Sequence, residues 1–336
     1  MAPNADTDLR VGVGRMLGTS PAMRPIWDLL ERLAATDTNV LVTGETGTGK
    51  DLFVRTLHER SRRRGGPIVT ANCCASAESL LEDDLFGHEP GAFTGAVERR
   101  LGYFEAADGG TLFLNEIGEV PAALQTKLLG AIDDRRIHRL GGTRETGIDV
   151  RIVAATNADI RAKLRDGRLR LDLYYRLAGV RVDLPPLRGR RHDVLLLAQH
   201  FAAEFGTAAG RGSPRLSPEA CSVLLRHDWP GNVRELRNCI QAAVALADGK
   251  GVQASDLRLD GVPGAAPEQA AAAKPASRAS SEAARRRREF AAALASAGGN
   301  RTLAGRLMAV DRRTVQRAIA RFGLDVPSDG PLRKRP

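Results

Sequence analysis

The sequence has 336 residues, of which 43% are hydrophobic and 27% charged, and a formal net charge of +10. That length allows two or three domains with ample core. Its apolar runs fall far short of the ~20 residues of a membrane span, and the opening MAPNADTDLRVGVG lacks the apolar centre of a signal peptide. The four cysteines, Cys73, Cys74, Cys221 and Cys239, include one adjacent pair and no CxxC spacing. This pattern argues against a disulfide framework or a zinc site and predicts reduced thiols in a cytoplasmic protein with no membrane partner.

Residues 1–14 read as a disordered lead. Between Val40 and Leu184, short β-rich runs alternate with helical stretches: Val40–Thr43, Ile68–Thr70, Thr111–Leu114, Val150–Ala155 and Val180–Leu184. Alternation of this kind predicts an α/β domain whose parallel sheet is covered by helices. Val180, Val182 and Leu184 share one face of the last run. From Asp193 the spacing turns helical, and Val233, Leu236, Ile240 and Val244 form one apolar stripe, so Asp193–Ala247 reads as a small helical subdomain. Gly261–Ser281, interrupted by Pro263, Pro267 and Pro275, reads as a linker.

The charge is concentrated at the far end. From Ser281 onward there are thirteen Arg or Lys against five Asp or Glu, leaving only +2 for the first 280 residues. Such concentration is the footprint of a polyanion-binding module. Phe290 and Leu294 suit one helix, Leu303 and Leu307 a second, and Val315 and Ile319 a third; short breaks at Gly298–Asn300 and Ala309–Asp311 separate them. The last two predict a helix-turn-helix, with Arg312, Arg313, Thr314, Gln316 and Arg317 available to phosphates and base edges.

Two motifs carry nucleotide chemistry. Val40–Thr43 runs into Gly44, Glu45, Thr46, Gly47, Thr48, Gly49, Lys50 and Asp51, then into a helix beginning near Asp51. Its glycines let backbone N–H groups approach a triphosphate, the helix N-terminus favours negative charge, and Lys50 neutralises the β- and γ-phosphates. A strand before and a helix after make this P-loop signal strong. The second motif, GGTLFLNEIGE, ends an apolar strand in Asn115 and Glu116 at the carboxyl edge of the sheet, where ligands bind in open α/β folds.

Between these motifs lies Gly91-Ala92-Phe93-Thr94-Gly95-Ala96, within the longer stretch LFGHEPGAFTGA. One aromatic and one hydroxyl in a glycine-bounded loop inserted inside a nucleotide domain predict contact with another protein. The stretch resembles the signature of the bacterial enhancer-binding activators of sigma-54 RNA polymerase, an AAA+ ATPase family, and the resemblance extends from about Gly14 to Leu324. It implies an α/β AAA+ P-loop NTPase with a helical lid, followed by a small all-α helix-turn-helix domain, since GGNRTLAGRLMAVDRRTVQRAI is similar to Fis-type DNA-binding domains. The expected layout is a lead at 1–14, an ATPase subdomain at 15–188 and a lid at 189–260. A linker at 261–281, a DNA-binding domain at 282–324 and a basic tail at 325–336 follow.

The same resemblance implies residue roles. Glu116 matches the glutamate that polarises the attacking water. Asn115 stands where the family has an aspartate that helps hold Mg2+ through its water shell, and Asp51 where it usually has glutamate. An amide keeps an acceptor oxygen but brings no charge to the metal. Asn72 matches an asparagine that tethers the catalytic glutamate, Asn157 the sensor I residue, and Arg234 the sensor II arginine. Arg170 and Arg176 resemble two fingers offered to a neighbouring subunit's ATP, with Leu169 in place of the usual phenylalanine. Expected partners are therefore sigma-54 holoenzyme, touched by Gly91–Ala96, enhancer DNA and further copies of the chain, from dimers to a hexamer. Most such activators begin with a sensor domain, for which this sequence has no candidate stretch. Control is then expected from a separate protein, from expression level, or not at all. Two readings stand: an ATP-driven activator, and a DNA-binding regulator that uses ATP for assembly but hydrolyses it poorly because of Asn115. A replication initiator with a C-terminal helix-turn-helix shares the layout but would not carry the GAFTGA loop.

Overall fold

A computed structural model describes residues 12–13, 16–74, 77–210, 212–247, 251–259, 290–291, 293–294, 297, 300–308 and 310–322. The expected lead is outside them except for Gly12–Val13; the linker at 261–281 and the tail at 325–336 lie wholly outside. The chain divides into two compact units, Met1–Ala265 and Ala266–Pro336.

In the first unit a five-stranded parallel sheet runs in the order Val180–Asp183, Val40–Thr43, Arg151–Thr156, Thr111–Asn115, Ile68–Asn72. Two strands run longer than their apolar cores. Pairing of Asn72 with Asn115 and of Ala155 with Asn115 extends the ladder into polar residues that an apolar pattern cannot flag. The strand at 151–156 starts one residue later than the sequence suggests, and Leu184 lies just past the last strand but is still buried. Both sheet faces are covered. Leu41, Leu112, Leu114 and Ile152 pack with helix Ala122–Asp134 on one side. Val40, Val42, Phe113 and Val153 pack with helices Arg24–Ala34 and Lys50–Arg60 on the other. Strands buried on both faces read as near-continuous apolar runs, which is why the sequence exposed them so plainly.

The helical part is built from His192–Ala208, Pro218–Arg226 and Asn232–Leu246 around Trp229, which is fully buried. Leu236, Ile240 and Val244 face that core as the stripe predicts, while Val233 is half-buried. Among the described residues no helix is long and apolar enough to cross a membrane, and all four cysteines are free.

In the second unit, helices Arg301–Leu307 and Arg312–Phe322 follow one another with a short break. Asn300 Oδ1 accepts the N–H of Thr302 at 3.0 Å, and Asp311 Oδ1 accepts that of Thr314 at 2.7 Å, so each helix start is capped. Leu294, Ala297, Ala304 and Val315 form the core, with Phe290 and Ile319 against it. Leu303 departs from the predicted stripe. It is 45% exposed, and Ala304 takes the inward position.

Candidate functional site

The P-loop follows the carboxyl end of the inner strand Val40–Thr43, and its helix starts at Lys50, one residue earlier than expected. Gly49 caps it with φ +103°, a left-handed conformation open to glycine at little cost. The first turn of that helix carries N–H groups with no intrahelical acceptor, aimed at whatever occupies the loop. Lys50 is buried; its Nζ donates to Gly44 O at 2.9 Å and stands 3.8 Å from Glu116 Oε1. Burial lowers the Lys50 pKa, and Glu116 and Asp51 act against that shift.

Glu116 sits one residue past its strand with φ +56°, a backbone conformation uncommon for any residue but glycine. That turn swings its carboxylate toward the neighbouring strand end, where Oε2 accepts the Asn157 N–H at 2.9 Å. Asn157 Nδ2 in turn donates to Thr46 Oγ1 at 2.8 Å, so P-loop, Glu116 and Asn157 form one connected constellation. Asn115 Oδ1 is buried and has no hydrogen-bond partner in the protein. Thr46, Gly47, Gly49, Lys50, Asp51, Asn115, Glu116 and Arg234 together line a cleft of about 520 Å³. This cradle of P-loop and Lys50 donors fits a triphosphate; Asp51 and Asn115 line the same cleft and would be the groups to hold the water shell of an accompanying Mg2+.

Three predicted residues lie apart from this cluster. Asn72 is adjacent to Asn115 in the sheet, but its Oδ1 accepts the Cys74 N–H at 3.2 Å, a local turn, and does not engage Glu116. Arg170 and Arg176 are exposed. Arg170 pairs with Asp172 at 2.6 Å, and Arg176 with Asp133 at 2.5 Å. Neither lines the cleft of its own chain. Leu169, between the P-loop domain's core and Arg170, is buried and anchors that corner.

The loop Gly91–Ala96 closes on itself through the Gly91 N–H to Ala96 O bond of 2.8 Å, with Gly91 at φ +85° and Gly95 at φ +100°. Ala96 is buried and Ala92 half-buried, while Phe93 and Thr94 are exposed. The Phe93 ring meets His88 edge-on at 5.0 Å, and His88 Nδ1 pairs with buried Asp83 at 2.6 Å. Arg139 joins Glu89, just before the loop, to Glu105. An exposed tip therefore stands on a braced base.

A clasp that no sequence motif announces joins lid and P-loop. Asn232 is fully buried at φ +54°; its Nδ2 donates to Thr46 O at 3.0 Å and Glu45 Oε2 at 3.1 Å, and its Oδ1 accepts the Leu187 N–H at 2.7 Å. The Val233 N–H bonds Gly47 O at 3.0 Å, and buried Arg190 donates to Thr48 O at 2.7 Å. A Cβ at Gly47 would come within 2.2 Å of Gly231 O, so glycine is required there for contact with the lid as well as for phosphate. Arg188 completes the clasp on Glu45 and, with Asn232, holds that carboxyl below its ordinary pKa. Its sequence signal is Trp229-Pro230-Gly231-Asn232, a turn cluster opening the helix that carries Arg234.

In the second unit Arg313, Gln316 and Arg317 are exposed on the last helix and Thr314 is half-buried; Arg312 begins that helix, and its side chain lies outside the described residues.

Comparison with known proteins agrees with this geometry. Residues 16–183 match the sigma-54 interaction domain family, and residues 188–274 match the AAA+ ATPase lid domain. The chain is 42% identical over 306 residues to the transcriptional regulatory protein ZraR of Salmonella typhimurium, covering 91% of this chain and 68% of that protein. It is 41% identical over 319 residues to the regulatory protein AtoC of Escherichia coli, covering 94% and 69%. Among solved structures, NtrX of Brucella abortus in complex with ATP superposes with a TM-score of 0.68 at 31% identity, over 95% of this chain and 71% of NtrX. With an AAA+ P-loop sheet, a matching lid and a sigma-54 interaction domain spanning the sheet, the chain belongs to the sigma-54 activator family of AAA+ ATPases.

Proposed function

We propose that this chain binds enhancer DNA, assembles with further copies of itself into a ring, up to a hexamer, and uses ATP hydrolysis to remodel the closed complex of sigma-54 holoenzyme. The observation that carries this reading is the exposed Phe93–Thr94 tip on a braced base within the same domain as the Lys50–Glu116–Asn157 cluster. Lys50 and the P-loop amides hold the phosphates of ATP; Glu116, aligned by the Asn157 N–H, orients the attacking water as general base. Mg2+, bound with the nucleotide, supplies charge neutralisation at the phosphates. Asn157 bonds both Glu116 and Thr46, so loss of the γ-phosphate can be felt at the strand end that leads toward the neighbouring elements. Arg234 reports from the lid, and Asn72 is the alternative partner for Glu116 before a target is engaged.

Thr94→Ala should leave ATP turnover roughly intact and abolish open-complex formation at a sigma-54 promoter. Thr94 is exposed and outside the nucleotide cleft, so only contact with the target depends on it. Paired ATPase and promoter-melting assays check this. Loss of ATP binding with sigma-factor contact retained would overturn the assignment.

The second unit is proposed as the DNA-binding domain, with Arg312, Arg313, Thr314, Gln316 and Arg317 toward DNA. In the full chain, Arg313→Ala and Arg317→Ala should each weaken duplex binding and each reduce the log–log salt slope by about one unit, as expected for a lost phosphate contact. Titration on specific and random duplexes at several salt concentrations checks this; salt slopes unchanged in both variants would remove these residues from the interface.

A second reading rests on Asn115. With an amide where the family carries a carboxylate, the chain would bind ATP to assemble and turn it over slowly.

A further inference from the structure

We propose that Asp83 and His88 are positioning residues for the target contact made by Phe93, an inference that rests on the reading of Gly91–Ala96 as the sigma-54 contact loop. Asp83 lies on the helix Glu78–Phe86, and its carboxylate gathers both arms of that loop. Its Oδ1 accepts from His88 Nδ1 at 2.6 Å, on the incoming arm. Its Oδ2 accepts from Arg100 Nη1 at 2.8 Å, on the outgoing arm. The arms pair antiparallel, Gly87 with Leu101 and His88 with Arg100. A Cβ on Gly87 would come within 2.3 Å of Arg100 O, so glycine is what lets the arms close over one carboxylate. Arg100 Nη2 extends the tie to Asp84 Oδ1 at 2.8 Å.

One ring carries this clamp to the tip. An ionised carboxylate can only accept, so His88 Nδ1 holds the proton of that bond and the bond sets the orientation of the imidazole. The imidazole in turn meets Phe93 edge-on, with ring centroids 5.0 Å apart and planes at 69°, the arrangement aromatic pairs favour. Phe93 is 48% exposed, so part of its ring stays free for a partner while the His88 contact sets its angle. The bonds inside the loop, Gly91 N–H to Ala96 O and Ala96 N–H to Phe93 O, close its backbone but do not direct the Phe93 side chain. Burial points the same way. Asp83 and His88 are both buried, and the other buried residues of the Asp83 helix are the apolar Leu81, Leu85 and Phe86. Desolvating a carboxylate is costly, and an apolar residue in that place would pack with its neighbours without the penalty. What the charged cluster adds is a single geometry, because each carboxylate oxygen is engaged by a different arm of the loop.

The test uses the full-length chain. Trp27 and Trp229 are fully buried, so Phe93→Trp adds one exposed indole whose fluorescence anisotropy reports the freedom of the tip with no partner present. Two changes are then made in that chain. His88→Asn keeps an N–H donor for Asp83 but removes the ring, and Asp83→Asn keeps one acceptor but sets an amide N–H against an arm of the loop. Each should lower the anisotropy of the added indole. With Phe93 in place, the same changes should weaken binding of sigma-54 holoenzyme about tenfold, the scale of one lost aromatic contact, while basal ATP turnover is unchanged. Anisotropy unaffected by both changes would overturn the positioning role, and so would a fall in basal turnover that matches the loss of binding. Anisotropy that falls while binding persists also overturns it, provided Thr94→Ala abolishes binding. Binding that survives Thr94→Ala as well overturns the reading of the loop itself, and this role with it. Should Asp83→Asn fail to fold, His88→Asn decides by the same criteria.

Discussion

Glu116→Gln should abolish ATP hydrolysis while leaving nucleotide bound, and Asn115→Asp should raise turnover in the chain that keeps Glu116. The two residues are neighbours in the same cleft but act on different partners. Glu116 is the carboxylate aligned by the Asn157 N–H at 2.9 Å, and the amide isostere cannot take a proton from water. Lys50 keeps its bonds to Gly44 O and Glu45 O without Glu116, so binding should survive. Asn115 lines the same cleft, and its Oδ1 has no hydrogen-bond partner in the protein. Restoring a carboxylate there adds negative charge beside Mg2+, which keeps several waters and is also held by phosphates. The wild-type chain should therefore show slow turnover and a raised magnesium requirement, and Asn115→Asp should improve both. Steady-state ATPase assays across a magnesium titration decide it. If Asn115→Asp changes neither quantity, the amide is a full substitute and the second reading of the function falls away.

The three inner strands were legible because they are buried on both faces, so that Leu112–Leu114 and Ile152–Ala155 read as apolar runs bounded by polar ends. The P-loop was legible because phosphate binding restricts glycines and lysine to fixed positions. The lid clasp was not. Asn232 acts through a left-handed backbone and hydrogen bonds to residues far away in sequence, Glu45, Thr46 and Leu187, and such pairings leave no local pattern. The buried donors of Arg151 are hidden for a similar reason, since an arginine opening an apolar strand reads as an exposed end until the neighbouring elements close over it. Leu303 shows the reverse case. A leucine at helical spacing reads as core, yet Ala304, its neighbour, takes the buried place and Leu303 is left exposed.

Arg170→Ala and Arg176→Ala should each cut ATP turnover by about a thousandfold or more while ATP binding stays nearly normal. Both side chains are exposed, and both are held by acidic residues of their own chain, Asp172 and Asp133. Neither reaches the cleft that contains Lys50 and Glu116, so any action on phosphate must be on a neighbouring copy. Their present ion pairs are surface pairs worth little, and exchanging a carboxylate for a transferring phosphoryl group at a subunit boundary is energetically accessible. Assembly is the control: sedimentation with nucleotide should give the same species for wild type and variants. Mixing either variant with Lys50→Ala protein should then restore part of the activity, because some boundaries will pair an intact nucleotide cleft with an intact arginine. Turnover that never recovers in any mixture, with assembly verified, would place both arginines in a role within one subunit.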